Sequence, residues 1–225
     1  KAVYHVLDYG NERVRRIIEE ENLTNNTDAS SMATIAGADI YNGTNIAIDT
    51  ARFNTPRNGQ FDASGNLFVA DQRLHIIRKI DTNGIVTTVA GTAGDAGYSG
   101  DGGPATSAKI NSPRGVTVDS KGNLYISDSG NNLIRKVDTN GNISTFAGST
   151  GATNPGDGGP ATSAAIGFPY QLAVDAADNL YIADYGNHSI RKVDIATGII
   201  SMYAGNRQTA YGGDGGQATN AAVHG

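Results

Sequence analysis

A segment that recurs four times in register constrains this chain more than any other feature. Val3-Tyr-His-Val-Leu-Asp8, Asn66-Leu-Phe-Val-Ala-Asp71, Asn123-Leu-Tyr-Ile-Ser-Asp128 and Asn179-Leu-Tyr-Ile-Ala-Asp184 align, with steps of 63, 57 and 56 residues between their aspartates. A fixed period of this size means that each unit is a supersecondary block burying its apolar face against the next. Six residues after each aspartate a second signature begins: Val14-Arg-Arg-Ile17, Ile77-Arg-Lys-Ile80, Ile134-Arg-Lys-Val137 and Ile190-Arg-Lys-Val193. A third ends in Ala36-Gly37, Ala90-Gly91, Ala147-Gly148 and Ala204-Gly205. These runs are short, near-alternating and rich in β-branched and aromatic residues, the pattern of strands. Asp81-Thr-Asn-Gly84 and Asp138-Thr-Asn-Gly141 separate the second and third strands. Asn-Gly predicts positive φ at a tight hairpin there.

A fourth strand precedes the aspartate motif in three units: Gly115-Val-Thr-Val-Asp119, Gln171-Leu-Ala-Val-Asp175 and, more weakly, Asn58-Gly-Gln-Phe-Asp62. Four antiparallel strands repeated in this way describe the blades of an all-β propeller. The units run approximately 1–56 (degenerate), 57–113, 114–169 and 170–225, as one propeller segment of about four blades. The long connection out of each unit is distinctive: Gly100-Asp-Gly-Gly-Pro104, Gly156-Asp-Gly-Gly-Pro160 and Gly213-Asp-Gly-Gly-Gln217, each followed by Ala-Thr. Glycine permits a turn that a Cβ would strain. Pro104 and Pro160 suit the first position of a short helical turn, from which Ala and Ile can pack between blades. The stretch lacks the Gly-Lys-Ser/Thr ending of a phosphate loop, so structural packing between blades is the expected role.

These residues resemble the NHL-repeat β-propeller family, with the Gly-Asp-Gly-Gly-Pro-Ala-Thr connection of its bacterial-type members. The resemblance is strong over 57–225 and degenerate over 1–56. It implies blades of a ring that commonly has six. It also implies three possible settings: binding propellers, propeller lyases or hydrolases with a channel metal, and ligand-sensing ectodomains of membrane receptors.

Only three inner strands match four of each other strand, so the first blade is expected to lack its innermost strand. An unpaired strand edge is a template for another strand. Three arrangements would answer it: further repeats close a larger ring, the ring stays imperfect, or a neighbouring chain supplies the strand. For the last, Val3, Tyr4, His5, Val6, Leu7 and Asp8, with Val223, His224 and Gly225, form the candidate assembly edge of a ring or filament. The first unit also departs from its siblings in a longer hairpin and in the loss of Gly-Asp-Gly-Gly from its exit, Ala38 to Phe53.

Composition narrows the chemistry. There is no cysteine, which excludes disulfides, thiol nucleophiles and iron–sulfur clusters. No apolar run reaches the ~20 residues of a spanning helix. The formal charge of −5 argues against a nucleic-acid partner. Of the four histidines, His75 and His188 hold equivalent template positions, where sister units carry Glu12 and Asn132, and are expected at a blade edge; His5 replaces an aromatic of an apolar strand. No catalytic, cofactor-binding or metal-binding residue is expected. The recurring aspartates and arginines read as ion pairs within or between blades, since a charge placed once per blade cannot all serve one site. Asn22, Asn25, Asn42, Asn142 and Asn187 stand in Asn-x-Ser/Thr sequons. Asn22, Asn25 and Asn42 are the candidate glycosylation positions. The expected function is a non-enzymatic extracellular or cell-surface propeller that acts as a scaffold or binding module, self-associating or binding another protein.

Overall fold

Each alternating run has one face to bury, and in the computed structural model these runs form strands throughout. The structure describes residues 51–223, together with the backbone of the strands at 2–8, 13–19, 30–36 and 46–47. The first sheet contains β1 (Ala2–Asp8), β2 (Arg13–Glu19) and β3 (Ser30–Ala36), paired in that order. The second contains β5 (Pro56–Phe61), β6 (Leu67–Asp71), β7 (Ile76–Ile80) and β8 (Ile85–Ala90), with β4 (Ile46–Ala47) added outside β8. β9 (Val116–Val118), β10 (Leu124–Asp128), β11 (Leu133–Val137) and β12 (Ile143–Ala147) make the third. The fourth is β13 (Pro169–Val174), β14 (Leu180–Asp184), β15 (Ser189–Val193) and β16 (Ile200–Ala204). All pairings are antiparallel, and β5, β9 and β13 neighbour one another in turn. The fold is an all-β propeller segment, and its first sheet has no strand inside β1 among the described residues.

β4 is not foreshadowed by any motif. It pairs Ala47 with Ile85, the register at which Pro104 bridges Asn142 on the third sheet. The exit from the first unit has lost its glycine signature, yet Ile46 and Ala47 within it still pair with the outer strand of the next sheet. The Asn-Gly turns carry the expected positive φ, on their glycines, Gly84 (78°) and Gly141 (83°). The Asp81 carboxylate accepts the N–H groups of Asn83 and Ile85, which holds the preceding residues in an ordinary turn. Pro104 and Pro160 sit just before the 3-10 turns Ala105–Ser107 and Ala161–Ser163 rather than at their first position.

A bulge recurs at one place in every sheet, between Val14 and Arg15, Ile77 and Arg78, Ile134 and Arg135, and Ile190 and Arg191. Bulges re-aim side chains. Here Arg78, Arg135 and Arg191 are turned into the interior and wholly buried. The core lies between sheets. Phe68, Ala70 and Ile77 of the second meet Val116, Ile126 and Ile143 of the third, with Ala105, Ala108 and Ile110 of the connection wedged among them. Ala161, Ala164 and Ile166 play that part between the third and fourth.

The terminal Gly of each Ala-Gly signature turns the chain out of the sheet. Gly148 has φ 92°, and a Cβ there would lie 2.7 Å from the Asn132 carbonyl oxygen. Its N–H donates to the Ala161 carbonyl at 2.9 Å. Gly141 is also left-handed but has open space around it. Gly141→Ala should therefore cost about 1 kcal/mol of strain, whereas Gly148→Ala should cost at least ~3 kcal/mol by adding a backbone clash. Urea denaturation of the two variants checks the difference.

Candidate functional site

The repeat aspartate is the hub of the sheets whose side chains the structure describes. Asp128, wholly buried at the end of β10, accepts from the Asn111 N–H at 2.7 Å and from Asn131 Nδ2 at 2.9 Å to both oxygens. Arg135 Nη1, seven residues on, lies 3.4 Å from Oδ2. Asp184 repeats the set with Gly167 N–H at 2.7 Å, Asn187 and Arg191 at 3.4 Å. One carboxylate thus ties together the segment entering the sheet, the 3-10 turn after β10 or β14, and the next strand. Burial pushes Asp128 up to about 6, against the pull of Asn131, Asn111 and Arg135. Asp184 is raised for the same reason.

The Gly-Asp-Gly-Gly connections supply the other half of each arginine's shell. Arg135 Nη2 donates to Asp101 and, at 3.2 Å, to the Ser99 carbonyl; the guanidinium also lies 4.9 Å over the Tyr98 ring. Arg191 Nη2 donates to Asp157 at 2.6 Å and to the Pro155 carbonyl at 2.8 Å. Each connection therefore leaves one sheet and clasps the arginine of the next. Burial pulls the Asp101 carboxyl upward, but hydrogen bonds from Thr145 and the Arg135 charge outweigh it and hold it below the usual range. Tyr98 completes the clasp through a hydroxyl 3.2 Å from Asp101 Oδ2.

The second sheet departs from this scheme. By the 57-residue step Thr44 stands where Asp101 does. Arg78 is wholly buried and its three guanidinium nitrogens make no hydrogen bond among the described residues; Asp71 Oδ2 lies 3.3 Å from Nε and the Phe53 ring 5.0 Å beneath. Burial lowers the Arg78 pKa, opposed by Asp71.

The template histidine position is a joint between sheets. His75, Asn132 and His188 are all left-handed, at φ 58°, 58° and 47°. His75 Nδ1 accepts the Ser112 N–H of the next sheet's entry at 3.0 Å, and Asn132 Oδ1 accepts that of Phe168 at 2.7 Å. His188 lines a small cavity with Tyr170, Tyr185 and Val223. Residues 3–8 form β1, at one edge of the three-stranded sheet. His224, Gly225 and the sequon residues Asn22, Asn25 and Asn42 lie outside the described residues. Among the other sequons, Asn187 has its amide engaged by Asp184, while Asn142 is exposed at a hairpin. No group of three His, Asp or Glu able to hold a metal occurs among the described residues.

Residues 92–155 match the family model described as the teneurin NHL domain. Teneurin-1 of Gallus gallus is 34% identical over 158 residues, which cover 60% of this chain and 6% of that protein. Human NHL repeat-containing protein 2 is 34% identical over 144 residues, 60% of this chain and 20% of that protein. The chain therefore spans only a small part of these relatives. Among solved structures, a Bacteroides thetaiotaomicron protein of unknown function superposes with TM-score 0.61 at 24% identity, over 81% of this chain and 42% of the other. Virginiamycin B lyase from Staphylococcus aureus gives 0.55 at 16% identity, over 90% and 52%. At these identities the likeness speaks to the fold alone.

The joint carries a pH signature. Burial lowers the His75 pKa from 6.5, and the Asp95 charge opposes it. A depressed histidine contributes stability that is complete above the unfolded value and is lost as pH falls below it. His75→Asn keeps both the left-handed preference and the acceptor, as Asn132 does. The stability of the wild type relative to this variant should fall as pH drops below about 6.5. The rise of Asp128 acts in the opposite direction, but it is common to both proteins and cancels in the difference. Urea midpoints between about pH 8 and about pH 5 measure it.

Proposed function

We propose that this chain, an NHL-repeat β-propeller protein, is a non-enzymatic binding module of an extracellular or cell-surface assembly, with a protein, including a second copy of itself, as partner. The observation that carries this reading is a clasp that repeats without its arginine. Tyr211 Oη donates to Asp214 Oδ2 at 2.7 Å, as Tyr98 does to Asp101. Tyr98 also packs on Arg135, whereas Tyr211 is 86% exposed and no arginine meets Asp214 among the described residues. The connection from Gly213 onward is folded like its siblings, with Gly205 N–H on Ala218 O at 2.9 Å and the 3-10 turn Ala218–Asn220. It carries the carboxylate side of a clasp, and the arginine to meet it would come from the bulged strand of another blade, whether of the same chain or of a second copy.

The likeness to a teneurin NHL domain supports binding as the role. So does the local use of charge: the buried aspartates and arginines are engaged within and between sheets and not gathered at one catalytic point. A lyase or hydrolase reading rests on fold likeness alone.

Light scattering and sedimentation of the chain over rising concentration test the assembly. Reversible association is expected, weakened about tenfold or more in Asp214→Asn, since a charge-assisted contact is worth about 1.5–3 kcal/mol. A monodisperse monomer at high concentration, or unchanged association in the variant, contradicts it.

A further inference from the structure

We propose that the cleft between the second and third sheets is a receptor for one aromatic ring, offered as a Phe or Tyr side chain by a protein partner. This rests on the binding-module reading and names what the module takes. The cleft measures about 470 Å³ and is lined by Phe68, Lys79, Val89, Pro104, Val137 and Thr139, among others. Its origin is a difference between repeats on one scaffold. The recurring bulge leaves one residue of the outer strand without a cross-strand partner: Val89 on β8, Phe146 on β12 and Tyr203 on β16.

In the third sheet that residue is a ring, standing edge-on to Tyr125 with centroids 4.8 Å apart. In the fourth, Tyr203 stands edge-on to Tyr181, also at 4.8 Å. Phe146 packs with Ile195 against the core joining the third and fourth sheets, and Tyr125 is wholly buried. The second sheet keeps the inner ring, Phe68, but carries Val89 in place of Phe146; the third carries Thr139 in place of Ile195. Phe68 meets no ring among the described residues, and a cleft lies where the sibling junction places the ring of Phe146.

The chemistry of the walls sets the occupant. Phe68, Val89 and Val137 offer apolar contact, and Pro104 offers a flat ring face. Lys79 and Asp138 both line the cleft, so their opposite charges favour a neutral guest with one polar edge. Edge-to-face pairing adds about 0.5–1.5 kcal/mol beyond area burial, which distinguishes a ring from an aliphatic chain of similar size. Thr106 and Asn140 stand exposed at its rim, so the ring can enter from outside.

The probe is N-acetyl-tyrosinamide, titrated into the isotopically labelled chain by NMR, with N-acetyl-leucinamide as the comparison. Saturable binding with a Kd of about 1 mM is expected for so small a guest. Shifts should centre on Phe68, Val89 and Thr139, with leucinamide about tenfold weaker. Val89→Phe with Thr139→Ile rebuilds the closed junction and should abolish binding and raise Tm. Val89→Phe alone should weaken binding if the pair disturbs folding. Phe146→Val with Ile195→Thr should open a second site of the same kind. Non-saturable shifts, equal binding of leucinamide, or unchanged binding in either filled variant would overturn the proposal. The probe carries no cationic group that could take an arginine's place at Asp214, so its binding is independent of the clasp, and failure of self-association leaves this result intact.

Discussion

An arginine taken wholly out of water must find its hydrogen bonds in the protein, and that requirement organises this fold. Desolvating a guanidinium costs several kcal/mol unless an opposing charge and further acceptors meet it. In the third and fourth sheets the repeat aspartate supplies the charge from within and the Gly-Asp-Gly-Gly connection supplies a second carboxylate from the preceding unit. The bulge before each arginine follows from the same need, because it turns the side chain inward. The left-handed joint after the 3-10 turn and the terminal Gly of the Ala-Gly signature then route the chain around this hub.

The consequence is that sheets are joined by polar contacts of defined geometry as well as by apolar packing. Apolar wedges such as Ala105, Ala108 and Ile110 fill space and tolerate substitution of similar volume. A carboxylate meeting a guanidinium is directional, so the clasp fixes how each sheet is set against the one before it. Where a clasp is incomplete the repeat has diverged. Among the described residues Arg78 keeps its burial with Asp71 and the Phe53 ring as its partners, and the cleft at Val89 opens on the following junction. Both departures fall on the sheet next to the degenerate first unit.

Much of this was legible from residue order alone. The recurrence of Ile-Arg-Lys six residues after the repeat Asp, the strand alternation and the glycine connections specify antiparallel blades, and the expected pairing of the recurring Asp and Arg agrees with Asp128–Arg135 and Asp184–Arg191. The partner of Asp101 was not legible, because Arg135 lies 34 residues away in the next unit and only the packing brings them together. β4 has no signal in the sequence because its unit lacks the glycine connection that marks this outer bridge in the later units. The histidine position is a joint to the next sheet, and its left-handed backbone has only the Asn132 of a sister unit as a sequence signal. The cleft needs two substitutions in different units, Val89 and Thr139, to be compared with Phe146 and Ile195 across one interface. Alignment of the units supplies the pairs, while only coordinates show that they face each other.

The most direct test of the clasp is a double-mutant cycle on Asp101→Asn and Arg135→Met, read as unfolding free energies in urea. If the connection holds the next sheet through this contact, the two losses should be non-additive by about 1–3 kcal/mol, with the double variant more stable than the sum of the singles implies. Losses that add to within about 0.5 kcal/mol would mean that the two side chains stabilise their sheets independently, and the account of inter-sheet clasping would be wrong.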